Sequence, residues 1–376
     1  MSLTIDRPQS LLTRPGQFAF VVVFALVLLL PTFDWLSAMD PTPPPQENRH
    51  LSLPPGQPQT LDALFAWPVK AESWFRDHFG FRSSLIALHS SLMLDILGVS
   101  PSKDVVIGKD GWLFLGAAKN IDAYRCVAPY TPELLAGARH DLELRHAFLK
   151  ARGIAHASIW VPIKANVYPE FLPSGLTKLD QPCRLKQWMR EMKAHDLPVL
   201  DLSEALLAAK KAGSPRMYFK TDTHWNPRGA WTGYQALAPW LQKIAPEMRI
   251  IANNRVDFMD HSVAGGDLAR LLDMAERYRT NEPILLLKQQ VAHRVTPVVT
   301  RPAGVKLEAF ACPSCGPLKV VMLHDSFGNG LIPFFAESFG RFVAAEFAGF
   351  DQALIDAEKP DLVIELALER QLTPER

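Results

Sequence analysis

Residues 16–33, GQFAFVVVFALVLLLPTF, run without a charged side chain; Arg7 and Arg14 precede them and Asp34 follows. That length lies at the lower edge for a membrane span. The basic flank belongs on the cytoplasmic side, so the rest of the chain is expected outside the cytoplasm. A cleaved signal peptide is the competing reading, because the densest apolar core, Phe18 to Leu30, has signal-peptide length. LSAMD offers only Leu36 and Ala38 at the small-residue positions, a poor cleavage site, so a retained anchor is favoured. Residues 1–40 are therefore an anchor or signal. Residues 41–70, rich in Pro and poor in core residues, read as an extended spacer, and 71–376 as the domain it carries.

Helical and strand periods then follow one another. In RSSLIALHSSLMLDILG, Leu85, Leu88, Leu92 and Ile96 recur at helical spacing, which predicts a helix packed on the domain. DVVIGKDGWLFLG reads as a β-hairpin turning at Lys109-Asp110-Gly111. ELLAGARHDLELRHAFLKARG is helical, with Leu135, Ala138, Leu142 and Leu149 on one stripe and Gly153 as its stop. Strands are expected in IAHASIWVPIK, LPVLDL, PLKVVMLHDS, RFVAAEF and PDLVIELAL. Helices are expected in CRLKQWMREMKAHD, RGAWTGYQALAPWLQKI, GLIPFFAESF and FDQALIDAEK. Apolar strands alternating with helices imply a parallel sheet covered on both faces. No internal repeat is visible, and the pattern assigns nothing between about residues 250 and 310.

A chain of 376 residues can bury a substantial core. Its net charge of +1, without runs of Lys or Arg, argues against a nucleic-acid groove or a polybasic membrane surface. Outside the cytoplasm four cysteines are expected as two disulfides, and the spacing suggests Cys126–Cys183 and Cys312–Cys315. Cys312 and Cys315 sit in a Pro- and Gly-rich loop before an apolar strand. That placement favours a structural staple over a thioredoxin-like redox motif, and no second CxxC completes a zinc site.

In an open parallel sheet, sites form at the carboxyl ends of the strands. KVVMLHDSFGNG puts Ser326 there, where a strand runs into a Gly-containing turn and a helix. Such a Ser is either an ordinary N-cap or a nucleophile facing backbone amides that could hold an oxyanion. A nucleophile needs a base, and the base an orienting carboxylate. YFKTDTHWNPRGAW supplies both in three residues. At i and i+2 of an extended segment, Asp222 and His224 point to the same side, so Asp222 can accept from Nδ1 and leave Nε2 for Ser326. Pro227 suits the start of the next helix. Trp225 walls the site, stacks on a sugar ring, or is a core aromatic. A metal reading of Asp222 and His224 lacks a third and fourth ligand at familiar spacing, since His261, His293 and His324 are scattered.

TDTHWNPRGAW, followed about a hundred residues later by HDSFG, resembles the SGNH-hydrolase-like domain of the alginate O-acetylating proteins of the AlgJ/AlgX type. ENR at 47–49, WFRDHFGFR at 74–82, GKDGWLFL at 108–115 and VPIKANVYPEFLP at 161–173 also look like segments of that family. The resemblance covers most of the chain beyond the spacer. It implies an SGNH-like three-layer α/β/α sandwich with a mainly parallel sheet, preceded by one N-terminal transmembrane helix. It makes Ser326 the nucleophile, His224 the base and Asp222 the orienter. The Asp–His pair precedes the Ser, as in the acetylating branch. His324 stands where Gly often precedes Asp-Ser, and no clear GxND block names an oxyanion-hole Asn. Asn166 and Lys164, or Gly265 and Gly266, are the candidates for that role, against loop polarity and a tight turn. Glu365 and Arg370 end a strand; Arg370 contacts substrate or an anionic group, or else forms a surface ion pair.

The function so implied is acetyl transfer to hydroxyls of an exopolysaccharide in the periplasm, from an inner-membrane anchor. A membrane-bound O-acyltransferase would be the acetyl donor. Acetyl-CoA is not expected outside the cytoplasm, so no cofactor is called for; the missing ligands speak against a metal, and the charge against nucleic acid. Two other readings stand beside it: a polysaccharide acetylesterase with the same triad, and a non-catalytic scaffold or carbohydrate-binding subunit of a secretion complex.

Overall fold

The computed structural model describes residues 14–37, 39–40, 51–117, 119–299, 306–346 and 349–372. Arg7 of the basic flank, residues 41–50 of the expected spacer and the ENR segment within them lie outside these. The chain forms two compact units, Met1–Pro101 with Arg270–Met274, and Ser102–Ala269 with Ala275–Arg376.

In the first unit, α1 spans Arg14–Ser37, and its Gly16–Ser37 portion is long and apolar enough to cross a membrane. At 1.5 Å per residue those residues reach about 33 Å, the thickness of a hydrocarbon core. Helix α2 covers Leu61–His78 and opens on Thr60, whose side chain accepts from the Ala63 amide. The last part of the 41–70 stretch is therefore helical rather than extended. Helix α3 covers Arg82–Asp95. Its expected packing stripe is not buried: Leu85, Leu88, Leu92 and Ile96 are 47%, 56%, 45% and 71% exposed. Periodicity found the helix but could not say which side of it has a partner.

The second unit begins with the hairpin, β1 (Val105–Ile107) paired antiparallel with β2 (Leu113–Leu115). Helices α4 (Asn120–Arg125) and α5 (Pro132–Lys150) lead to β3 (Ala155–Val161). Then come α6 (Lys164–Val167), α7 (Arg184–Ala194), β4 (Val199–Asp201), α8 (Ser203–Lys211) and α9 (Pro227–Ile244). The stretch that pattern left unassigned holds β5 (Val256–Val263), α10 (Asp267–Leu271), β6 (Thr280–Leu287), β7 (His293–Val295) and β8 (Lys306–Ala311). Last are β9 (Lys319–His324), α11 (Ile332–Ala336), β10 (Arg341–Glu346), α12 (Gln352–Glu358) and β11 (Leu362–Leu368).

Seven strands form the central sheet in the order β4-β3-β11-β9-β10-β8-β7. The first five are mutually parallel, and β8 and β7 add an antiparallel edge. Strands β5 and β6 pair apart from it as a hairpin. The period-2 alternation of the inner strands divides the core. Val320 and Met322 of β9 and Leu362, Ile364 and Leu366 of β11 pack with α9 through Trp231, Tyr234 and Leu241. Val321, Leu323 and Val363 face the other way, onto Leu149 of α5 and Leu354 and Ile355 of α12. The architecture is thus an α/β/α sandwich on a mainly parallel sheet. One predicted helix is shorter than expected: GLIPFFAESF yields only α11, preceded by a 3-10 turn over Ser326–Gly330. Gly328 and Gly330 fall in the 3-10 turn, while Pro333 sits in the first turn of α11, where proline is tolerated.

Both expected disulfides are present, Cys126–Cys183 and Cys312–Cys315, with Cα separations of 4.4 and 5.3 Å. The second closes a 3-10 turn, Pro313–Cys315, between β8 and β9, as a staple would. The first ties the end of α4 to the start of α7 across 57 residues. Chain-entropy arguments value such a loop at about 4 kcal/mol. Replacing Cys126 and Cys183 together by Ser should lower unfolding stability by that order, measured by denaturant titration. The same change at Cys312 and Cys315 should cost less.

Candidate active site

Strand β9 ends at His324, and the chain turns through Asp325 into the 3-10 turn that begins at Ser326. Asp325 is buried and ties this turn to the neighbouring strand. Its Oδ1 accepts from the Phe327 amide at 2.9 Å and its Oδ2 from the Leu368 amide at 2.8 Å, while its own amide donates to Leu366 O. Burial raises the pKa of this carboxyl above its ordinary value, against the two amides that it accepts from. Gly328 is required by contact: a Cβ there would fall 2.4 Å from Cγ of the buried His324 ring. The His324 ring lies with Nδ1 2.6 Å from Asp325 O. The Phe327 and Gly328 amides are committed to Asp325. Among the described residues the Ser326 amide has no acceptor, as expected for the first donor of a helical turn.

The His224 imidazole approaches on a separate loop. Residues 218–225 form a tight turn closed by a β-bridge between Tyr218 and Trp225 and by Phe219 N donating to His224 O. Asn226 then caps α9, accepting from the Gly229 amide at 3.1 Å, with Pro227 at the first helical position. Asp222 Oδ1 accepts from both the amide and Nδ1 of His224, at 2.9 and 2.8 Å. His224 Nε2 stands 2.8 Å from Ser326 Oγ. With Nδ1–H donating to Asp222, the lone pair of Nε2 faces the serine hydroxyl. The two segments, 102 residues apart, meet at the carboxyl edge of the sheet.

A second carboxylate, which the sequence reading did not single out, stands behind the first. Asp267 accepts from the Thr223 amide at 2.8 Å and from the Thr223 hydroxyl, and its own amide donates to Asp222 Oδ2 at 3.0 Å. Its only sequence signal was its place in AGGDL. Burial pulls the His224 pKa down, but the hydrogen bond and charge of Asp222, with the charge of Asp267, leave it above the ordinary value. Burial pushes Asp222 up. The hydrogen bond and charge of His224, and two backbone amides, outweigh it and hold the carboxyl at about 2. The Asp267 carboxyl is raised, by burial and by the charge of Asp222.

The other candidates fall in different places. Trp225 is a core residue, 3% exposed, with its indole N–H donating to Phe327 O at 3.0 Å; it neither walls the site nor can stack on a sugar. Lys164 is also buried, and its ammonium donates to the carbonyls of Phe219, Lys220 and Asp222 at 3.1, 3.3 and 2.7 Å. It holds up the turn that carries the base, and burial drives its pKa down to about 7. Asn166 donates to Glu369 Oε1 at 2.6 Å and accepts from Lys178 at 2.7 Å. Buried Glu369 also takes the Ile163 amide at 2.7 Å, and burial raises its pKa to about 7. The Gly265 and Gly266 amides are likewise engaged, with Ala275 O and Thr221 Oγ1. A Cβ on Gly266 would lie 2.4 Å from that of Asp222, so this glycine makes room for the carboxylate. Glu365 pairs with His156 and Arg145, at 2.8 Å each, away from Arg370. Arg370 follows β11 in the turn Glu369–Gln371, and its pKa is lowered by burial against the charges of Asp325 and Asp267. Its Nη1 is buried without a partner among the described residues.

Asp222, His224 and Asp267 form a group whose ligand atoms lie within 4.8 Å of one another. Their oxygens already accept from His224 Nδ1, two amides of the turn, the Asp267 amide and the Thr223 hydroxyl, so a cation would have to displace these bonds. The donor set fits an oriented imidazole better than a metal. A cavity of about 690 Å³ lies across the sheet under α5, lined by Ser158, Trp160, Trp188 and Glu365, and reaches Asp325; Ser326 and His224 do not line it.

A parallel-sheet sandwich with Ser, His and Asp converging at its carboxyl edge has the form of the SGNH hydrolase-like class. The chain belongs to the family described as "SGNH hydrolase-like domain, acetyltransferase AlgX", whose family model matches residues 105–311, more than half of it. The match takes in Asp222 and His224 and ends before Ser326. Curated relatives include the "Probable alginate O-acetylase AlgJ" of Pseudomonas aeruginosa, 31% identical over 150 residues, and that of Pseudomonas syringae pv. tomato, 27% over 183. These alignments cover 37% and 48% of this chain but 33% and 44% of the relatives, so the chain spans less than half the length of the curated relatives it matches. Among solved structures, the O-acetyltransferase domain of Pseudomonas putida AlgJ is 19% identical with a TM-score of 0.45, covering 72% of this chain and 92% of that one.

A base must be unprotonated to act, so any Ser326-dependent turnover should rise with pH, with a midpoint above the ordinary histidine value of 6.5. Asp222→Asn removes the carboxylate that raises it. The midpoint should move to lower pH and the rate fall by up to about 10⁴-fold, as for a mis-set imidazole tautomer. Initial rates on a chromogenic acetyl ester across pH 5–9 measure both.

Proposed function

We propose that the chain is an extracytoplasmic O-acetyltransferase that moves acetyl groups onto hydroxyls of an alginate-like exopolysaccharide through an acetyl-Ser326 intermediate. The observation that carries this reading is the 2.8 Å approach of His224 Nε2 to Ser326 Oγ, with Asp222 2.8 Å from Nδ1. Membership of the acetyltransferase family and the printed names of the AlgJ relatives support the choice of acetyl group and polymer.

In this mechanism His224 takes the Ser326 proton as Oγ attacks the acetyl carbonyl. The Ser326 amide donates to the oxyanion. The donor's acyl bond then breaks as the imidazolium returns the proton to the leaving group. A sugar hydroxyl next attacks acetyl-Ser326, with His224 again the base, and Ser326 regains its proton when the C–O bond to the enzyme breaks. Asp222 keeps the imidazole in one tautomer and stabilises it while charged. The N-terminal segment within residues 1–40 anchors the chain in the inner membrane, and the sandwich domain acts in the periplasm. No cofactor is used; a membrane-bound O-acyltransferase delivers the acetyl group. Arg370, half-buried in the turn Glu369–Gln371, would meet an anionic group of the acceptor with the part of its side chain open to solvent.

Full-length protein in detergent, given a chromogenic acetyl ester, should gain one acetyl group by intact mass. The adduct should be absent in Ser326→Ala and consumed faster when polysaccharide is added. Turnover to acetate at a rate indifferent to polysaccharide would make the protein an esterase instead. A folded wild-type chain that never acquires the adduct from ester or donor protein would leave a scaffold. For the acceptor, Arg370→Gln should raise KM for a uronate-containing oligosaccharide about tenfold or more, the worth of a charge-assisted hydrogen bond. KM for the small neutral ester should change little.

A further inference from the structure

The first unit carries two apolar helix faces that nothing described in the unit covers. On α3, Leu85, Leu88 and Leu92 and the cap residue Ile96 fall within an arc of roughly 80° at 100° per residue. All four are exposed. On α2, Leu61, Leu64, Phe65, Val69 and Phe75 are exposed over an arc of roughly 140°. The charges within that second arc are Glu72 and Arg76, which pair with each other at 2.8 Å. Exposed surfaces of this extent mark a partner or a membrane.

What covers them is indicated by the corner between the two helices, which is fixed to the end of the apolar helix α1. Asp34, in the last turn of α1, is buried, and its carboxylate accepts from the Phe81 amide at 2.8 Å and the Asp40 amide at 2.6 Å. Gly80 abuts α1 so closely that a Cβ would sit 2.1 Å from Pro31 O. Trp35 of α1 meets Trp74 of α2 edge to face at 5.8 Å. Helix α2 therefore ends, and α3 begins, where α1 would leave the hydrocarbon. Trp35 and Trp74 stand at that level, the depth that Trp prefers in a bilayer.

We infer that α2 and α3 are interfacial helices, whose apolar faces lie in the headgroup–acyl boundary of the bilayer that α1 enters. This rests on the membrane-anchor reading of α1 and goes beyond it. The anchor is then a three-helix footing, with α1 inserted and α2 and α3 lying on the surface. The bilayer, rather than a protein, completes the apolar surface of this unit.

The test uses the full chain in vesicles of phosphatidylethanolamine and phosphatidylglycerol. All four native cysteines are in disulfides, so one introduced cysteine can be labelled alone with a nitroxide. At Leu64→Cys, Leu88→Cys and Leu92→Cys, collision with oxygen relative to an aqueous nickel chelate should exceed that at Lys211→Cys several-fold. Val23→Cys, within α1, should show the highest ratio. Labels at 64, 88 and 92 as open to the chelate as the one at 211, with Val23 in hydrocarbon, would overturn the interfacial assignment and leave the anchor standing. Labels there shielded from both reagents would overturn it in favour of a protein contact. A chelate-accessible Val23 would remove the anchor, and this inference with it.

Discussion

Beneath the loop that carries Asp222 and His224, a single ammonium meets three carbonyl oxygens. Lys164 stands on the short helix that follows β3, and its three N–H groups match the carbonyls of Phe219, Lys220 and Asp222. These carbonyls belong to a turn too tight to satisfy them within its own backbone. Left unpaired in a buried place, each would cost about 1–3 kcal/mol. The ammonium lies over the rings of Trp112 and Phe114, 5.7 and 5.0 Å from their centroids, so hairpin, helix and turn converge on it. Burial drives the Lys164 pKa down to about 7, and its three hydrogen bonds use every donor the ammonium has.

The serine side is held by the opposite charge. Buried Asp325 takes amides from the turn ahead of it and from the end of β11, and so locks the Ser326 turn to the sheet. The Ser326–His224 approach is thus set by two buried titratable groups, Lys164 beneath one segment and Asp325 within the other. Orientation of the imidazole is a third layer. Asp222 binds it directly, and Asp267 braces the loop through Thr223 and the backbone. Each charge near the imidazole has a defined effect on it, and the two carboxylates win over burial.

The same economy shapes the N-terminal unit. A carboxylate at the foot of an apolar helix would be expensive in lipid unless engaged. Asp34 is engaged by the amides of Asp40 and Phe81, which fixes where α2 gives way to α3. The N-terminal corner and the Ser326–His224 edge are built by one device: a buried polar group whose backbone partners come from a different part of the chain.

The sequence by itself determined what depends on local order. Continuous apolar runs identified β3, β9, β10 and β11, because strands buried on both faces must be apolar throughout. The i, i+2 spacing identified Asp222 and His224, and the strand–turn context identified Ser326, since those relations need only a few bonded residues. The CxxC staple and the Asn226-Pro227 helix start were legible for the same reason. Tertiary structure decided the rest. The roles of Lys164, Asp267 and Glu369 rest on hydrogen bonds to groups 44 to 206 residues away. Such groups look in sequence like any loop charge. Trp225 reads alike as core or as sugar platform until Phe327 closes over it. The stripe on α3 has the spacing of a packed helix, yet it is exposed, because periodicity records that a face is apolar and not what it faces.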